Sequence, residues 1–213
     1  MRTSAEQLLP EKQAPLRLAV LRHWPSKWNE AGRLQGRTDL PISAGSRLEL
    51  QELALPECVA GWPCVTSPLL RARMTAEIVI RARACIDPRL IELDFGMWEG
   101  QRLADLRARD PVSMAANEQK GLDMQPPGGE TPRELWHRLQ DFLDERARIA
   151  APRSWFLVSH KSVIRVCLAM ALDWDMRGAC PIRLDWKGVH LFTWQHGQLA
   201  LKAHSLPMIA YKA

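Results

Sequence analysis

Two histidines, two arginines and one glutamate carry the chemistry this chain could perform. His23 follows Arg22 at the end of the apolar run Leu16 to Leu21. An imidazole beside an obligatory cation loses affinity for its own proton, so His23 is expected to be neutral near pH 7 and nucleophilic. Ser26, Asn29, Arg33, Gln35 and Thr38 come next, a set of donors with almost no acid among them. Such a lining suits an anion with several acceptor oxygens. Arg71 is placed in the first turn of a helix, where guanidinium and helix N-terminus favour an anion together. Glu92 follows a short strand pattern, and taken alone is simply an acid there. His160 leaves a second apolar run, Trp155 to Val158.

The elements that must position these groups read as a parallel α/β sheet. Near-continuous apolar runs such as Leu16 to Leu21 are strands buried on both faces. Ligands in open α/β sheets bind at the carboxyl edge, where both histidines fall. Ser43 is a candidate N-cap for a helix from about Ala44 to Leu55, stopped by Pro56. Cys64 to Thr66 is a brief strand. Ser67 and Pro68 read as N-cap and first-turn proline of a helix through Arg83. A third strand is expected within Ala84 to Leu90, interrupted by Pro88. A helix spans Leu103 to Arg109, and no clear period continues beyond Pro111. Thr131-Pro132-Arg133-Glu134 is a capping box opening a helix to about Ala150. Val163 to Ala169 continues as an apolar helix. The segment flanking His196-Gly197 reads as a terminal hairpin.

The motifs are specific enough to carry a resemblance. Leu21-Arg22-His23 with Asn29, Gln35-Gly36 and Asp39 resembles the first motif of the histidine phosphatase (phosphoglycerate-mutase-like) superfamily. Ser67-Pro68-Leu69-x-Arg71-Ala72-x-x-Thr75-Ala76 is similar to its second motif at every marked position. Glu92-x-Asp94-Phe95-Gly96-x-Trp98-Glu99-Gly100 and Pro127-Gly128-Gly129-Glu130 are similar to elements of its phosphatase branch. Val158-x-His160-x-x-x-Ile164-Arg165 is similar to its last motif. Together these cover most of the chain from Leu16 to Arg165.

The resemblance implies a three-layer α/β/α sandwich with a mixed, mainly parallel sheet. It also implies a metal-independent, cofactor-free phosphomonoester hydrolase of the histidine acid type. His23 would form a phosphohistidine, with Arg22, Arg71 and His160 compensating charge and Glu92 protonating the leaving group. Asn29, Gln35, Ser26, Lys161 and Trp24 are the expected phosphate- or substrate-binding set. The substrate would be a small phosphorylated metabolite, with inorganic phosphate as product. The alternatives carried beside this are a phosphoglycerate mutase and a catalytically degenerate phosphate-binding scaffold. Trp24 and Lys161 stand where the family places glycine. An indole at 24 either crowds the pocket or points away into packing, and Pro25 favours the second by biasing Trp24 toward an extended backbone. Lys161 either faces the substrate or is solvated. Burial would raise the Glu92 pKa and neighbouring arginines would lower it, so both directions stay open here.

The rest of the composition narrows the field. With 213 residues, the chain fits one domain with a full core, read as a polar arm at 1–15, a lid-like insertion at 101–130 and a hairpin at 186–206. The net charge of +5 is spread among interleaved acids, and basic and aromatic residues form no recognition motif, so a nucleic-acid partner is not expected. The five cysteines are odd in number and lack C-x-x-C spacing, which points to reduced thiols in a cytoplasm rather than a disulfide framework or zinc ribbon. His190, His196 and His204 lack metal-ligand spacing. No run is long enough to span a bilayer, no membrane partner is expected, and a homodimer is left open.

Overall fold

The computed structural model describes residues 14–211. The polar arm therefore lies, up to residue 13, outside the described residues. In chain order the strands are β1 (Leu16–Arg22), β2 (Leu53–Ala54), β3 (Cys64–Thr66), β4 (Cys85–Ile86), β5 (Ser154–Ser159), β6 (Val189–Gln195), β7 (Gln198–Leu206) and β8 (Ile209–Ala210). The helices are α1 (Lys27–Glu30), α2 (Ala44–Gln51), α3 (Leu70–Ile80), α4 (Leu103–Arg109), α5 (Pro111–Glu118), α6 (Pro132–Arg148) and α7 (Lys161–Leu172).

Six strands form one sheet in the order β4-β3-β5-β1-β6-β7. The β3–β4, β3–β5 and β1–β5 pairs are parallel, whereas β1–β6 and β6–β7 are antiparallel. Side chains alternate across a strand, so β1 serves two cores. Leu16, Leu18 and Val20 join the cluster that includes Leu135, Leu139 and Phe142 of α6 and Val163, Ile164 and Leu168 of α7. Ala19 and Leu21 join Leu50 of α2 and Ala72, Ala76 and Val79 of α3 on the opposite face. The result is a three-layer α/β/α sandwich with a mixed, mainly parallel sheet.

Register brings the histidines together. Arg22 pairs with Ser159 across the β1–β5 ladder, and the His23 amide donates to the Ser159 carbonyl at 2.8 Å. Thr66 pairs with Val158, and the Ser67 amide donates to the Val158 carbonyl at 3.0 Å. His23, Ser67 and His160 thus leave three adjacent parallel strands at one edge.

Several expected boundaries shift for identifiable reasons. The helix opened by Ser43 ends at Gln51 rather than Leu55, and Leu53 and Ala54 pair with Ala210 and Ile209. Leu55 precedes a proline, a position biased away from helix. The next helix starts at Leu70 with Leu69 as N-cap, and ends at Ile80 with Arg81 left-handed at φ 52°. Ser67 is therefore not its cap. Only Cys85 and Ile86 of the third strand pair, because Asp87 caps a short 3-10 turn over Pro88–Leu90. The segment without a clear period contains α5, capped by the Asp110 side chain with Pro111 at its start. Its period is weak because Met114 is its single buried residue. The helix from Leu103 to Arg109, the Thr131–Glu134 capping box and the hairpin turning at His196-Gly197 stand as read.

Candidate active site

His23 and His160 face each other with ring centroids 5.0 Å apart and planes tilted by 57°. Both are essentially inaccessible. Nδ1 of His23 lies 2.7 Å from the Trp24 carbonyl. A carbonyl only accepts, so Nδ1 carries the proton and Nε2 the lone pair. Nε–H of Arg71 donates to that Nε2 at 3.2 Å, which fits the same tautomer. Burial first, then the Arg22 and Arg71 cations, push the His23 pKa well below its usual value despite the Trp24 bond. The imidazole is neutral and its free nitrogen points at a guanidinium.

His160 is held differently. Its Nε2 lies 2.6 Å from Ser67 Oγ, and that oxygen accepts the Leu69 amide at 3.3 Å. Nδ1 is buried without a protein partner among the described residues. Burial, followed by His23, Arg71, Arg22 and Arg138, drives its pKa well down.

Arg71 is fully buried, yet among the described residues no carboxylate lies within ion-pair distance of it. Its Nη1 donates to Thr38 O at 3.0 Å and its Nη2 to Gly36 O at 2.6 Å. The loop can make this approach because residue 36 is glycine: a Cβ there would collide with the Leu93 carbonyl and the Phe95 amide. Burial lowers the Arg71 pKa, while Glu92, Asp39 and Glu99 partly restore it. Arg22 is also half-withdrawn from solvent. Its Nε is buried without a hydrogen bond, and its guanidinium stands 5.9 Å from the Trp186 ring. Two cations wholly or partly withdrawn from water, without an ion pair among the described residues, favour an anion between them.

Glu92 is 4% exposed. Its Oε1 accepts the Leu93 amide at 2.8 Å, and its Oε2 the Ser162 amide of α7 at a long 3.4 Å. Burial raises its pKa and outweighs the Leu93 bond and the Arg71 charge. The two directions that sequence left open resolve in favour of desolvation. The Glu92 backbone is braced from α6. Arg138 donates to the Arg89 and Glu92 carbonyls and pairs with Glu130 at 2.7 Å. Glu130 lies in the Pro127 to Glu130 element, and its amide binds Asp94 O at 2.9 Å. Glu99 braces the other loop, accepting from the Arg37 amide at 2.6 Å and Thr38 Oγ1 at 2.7 Å.

The remaining expected ligands divide. Ser26 and Asn29 form a reciprocal capping box on α1, and Ser26 Oγ donates to Gln35 Oε1. Gln35 Nε2 in turn donates to Thr38 O at 3.2 Å. Ser26 and Gln35 thus hold the loop that seats Arg71. Trp24 turns its indole into the apolar cluster with Leu50, Val59 and Ala72. It serves the site by its backbone, with its amide on Thr75 Oγ1 at 3.0 Å and its carbonyl on His23. Lys161 opens α7 with Nζ 5.2 Å from the Trp186 ring. Burial, Arg22 and Arg165 lower its pKa. Sequence reading missed Ser67, which resembles a helix cap, and Arg138, which carries no local signal. Among the described residues, no cluster of His, Cys, Asp and Glu has the arrangement of a metal site, and no helix is long and apolar enough to cross a membrane.

Comparison with known proteins agrees with this geometry. The family model of the histidine phosphatase superfamily (branch 1) matches residues 18–206. The chain is 32% identical over 161 residues to a protein named as a probable phosphoglycerate mutase, GpmB, of Proteus mirabilis, covering 74% of this chain and 75% of that one. It is 26% identical over 165 residues to phosphoserine phosphatase 1 of Hydrogenobacter thermophilus, covering 76% and 78%. Among solved structures, Bacillus stearothermophilus YhfR superposes with a TM-score of 0.72 at 24% identity, covering 89% of this chain and 96% of that one. A mycobacterial glucosyl-3-phosphoglycerate phosphatase gives 0.71 at 22%, covering 91% and 100%. Fold, paired histidines and family match converge: this chain belongs to branch 1 of the histidine phosphatase superfamily.

Proposed function

We propose that the chain is a phosphomonoester hydrolase working through a phosphohistidine on His23. The observation that carries this reading is the state of that residue: neutral, with Nδ1–H fixed on Trp24 O and the Nε2 lone pair turned toward Arg71.

In the first step Nε2 attacks phosphorus, the phosphorus–oxygen ester bond breaks, and Glu92 gives its proton to the departing oxygen. The cationic phosphohistidine keeps its Nδ1–H on the carbonyl. In the second step Glu92, now a carboxylate, takes a proton from water as the water oxygen attacks phosphorus. The nitrogen–phosphorus bond breaks, the electron pair returns to Nε2, and inorganic phosphate leaves. Arg22 and Arg71 oppose the charge on the transferring oxygens, and they act strongly because their site excludes water. Ser67 donates to His160 Nε2, which leaves the proton on Nδ1. His160 then serves as a neutral donor to the phosphoryl group, consistent with its depressed pKa.

Similarity to GpmB supports a second reading, a mutase that hands the phosphoryl group back to substrate before water takes it. Hydrolysis of 4-nitrophenyl phosphate, lost in His23→Ala, supports the hydrolase. Phosphorus NMR showing interconversion of 2- and 3-phosphoglycerate without phosphate release would replace it with the mutase. Binding of phosphate without turnover of either substrate would leave only the scaffold.

A further inference from the structure

A cavity of about 490 Å³ lies next to the segment that carries Glu92. It is bordered by Leu93, next to that carboxyl, and by Ser162, whose amide is bonded to it. Glu92 is the group assigned to protonate the leaving oxygen, and on that reading this neighbouring cavity is the space available to whatever is attached to that oxygen. A volume of this order holds a compact organic group. Phe95, Trp98, Met124 and Met176 make much of the wall apolar, with Gln119 and Ser162 as its uncharged polar side chains, a poorer match for a polyhydroxylated fragment than for an apolar one.

Three cations also reach the cavity, and they are not equivalent. Arg107 is neutralised by Glu118 at 2.7 Å. Arg165 rests 4.9 Å over the Trp174 ring. Among the described residues, neither it nor Lys161 has a carboxylate within ion-pair distance. The two lie one turn apart on α7, about 6 Å of rise, with Arg22 adding to the repulsion on Lys161. Burial lowers the Arg165 pKa as well. Glu92 acts on Lys161 and is required in protonated form on the hydrolase reading, while Glu118, the acid lining the cavity, is already paired with Arg107. The cavity is therefore apolar over much of its wall and short of negative charge on the α7 side.

We infer that the substrate is a phosphomonoester whose alcohol carries an apolar, aromatic-sized body ending in a second anionic group that pairs with Arg165. This rests on the hydrolase reading of the neighbouring site. A guanidinium already stacked on an aromatic face loses little freedom when it takes a planar or tetrahedral oxyanion in a two-pronged contact.

The test compares kcat/KM for glycerol 1-phosphate, benzyl phosphate, 4-carboxybenzyl phosphate and the bisphosphate of 1,4-benzenedimethanol, four esters of primary alcohols. Benzyl phosphate should exceed glycerol 1-phosphate, and one of the two charged benzyl esters should exceed benzyl phosphate by about tenfold or more, the worth of one charge-assisted contact. Which charged ester leads identifies the anion as carboxylate or phosphate. In Arg165→Gln the ratio of charged to uncharged benzyl ester should fall to about one, with part of it retained in Arg165→Lys. Because this is a ratio within one protein, a general loss of folded enzyme does not imitate it. Glycerol 1-phosphate surpassing benzyl phosphate, or a charged-ester ratio of one in the native chain, overturns the inference, as does a ratio unchanged in Arg165→Gln. If no ester is hydrolysed, the hydrolase reading fails on its own. Calorimetric binding of the corresponding phosphonates then tests the cavity separately, and the same rank order sustains its specificity.

Discussion

Nε2 of His160 sits 2.6 Å from the hydroxyl of Ser67, at the ends of two neighbouring parallel strands. The same oxygen accepts the Leu69 amide, so its hydrogen is free to point at the imidazole. Ser67→Ala should leave the fold intact and release the His160 tautomer. We expect kcat/KM to fall about tenfold to a hundredfold, the cost of a misoriented donor at the transferring phosphoryl group. Nitrogen NMR should show the ring proton moving from Nδ1 toward Nε2. An unchanged tautomer would remove Ser67 from this role.

Arg71→Lys should lower kcat by about a hundredfold or more, near 3 kcal/mol of transition-state stabilisation. Lysine keeps the charge but cannot hold the Gly36 and Thr38 carbonyls and His23 at the same time. Steady-state kinetics with separate kcat and KM values checks this. A change confined to KM would mean that the guanidinium binds the ground state and the transition state alike.

On the proposed mechanism the active form carries neutral His23 and protonated Glu92. His23 is shifted down and Glu92 up from their usual values. Activity should therefore rise as His23 loses its proton in the acid range and decline as Glu92 ionises above the ordinary carboxylate range. Glu92→Gln should remove the descending limb. In kcat/KM, which reports phosphoryl transfer to His23 and not the later attack of water, it should also impair an alkyl phosphate far more than 4-nitrophenyl phosphate, whose leaving group needs no proton. Equal loss of kcat/KM for both esters would argue against acid catalysis by Glu92.

His190 on β6 is fully buried, and its Nδ1 accepts the Ser205 amide at 3.1 Å. Burial lowers its pKa to about 4. The unfolded chain takes up this proton near the ordinary value of about 6.5, whereas the folded chain resists it until about 4. This contribution to stability is intact above pH 6.5, declines as pH falls, and is lost below the folded pKa, for a total of about 3 kcal/mol. Urea unfolding of His190→Gln beside the native chain, at neutral pH and near pH 4, should show a smaller acid-induced loss in the variant.

Much of this architecture was legible in the chain. The apolar runs ending at Leu21 and Val158 placed both histidines at one sheet edge, because a strand buried on both faces leaves an unbroken hydrophobic signature. Other roles were hidden because they are made by partners distant in sequence. Ser67 before a proline has the local look of a helix cap, and only the β3–β5 register turns its hydroxyl to His160. Arg138 is one of many arginines until α6 packs beside the Glu92 segment. Helix α5 leaves no signature in the sequence because one buried methionine makes no periodic stripe. The direction of the Glu92 pKa depended on how dry its surroundings became, which no residue spacing reports.

The pairing of Arg22 with Ser159 also dictates when catalytic competence can emerge during folding. His23 and His160 are far apart in sequence, with α1 to α6 between them, so closing that ladder is a late, entropy-limited event compared with forming the local helices. Return of turnover after dilution from denaturant should consequently lag the recovery of helical circular dichroism, making enzymatic assay a clock for completion of the central ladder.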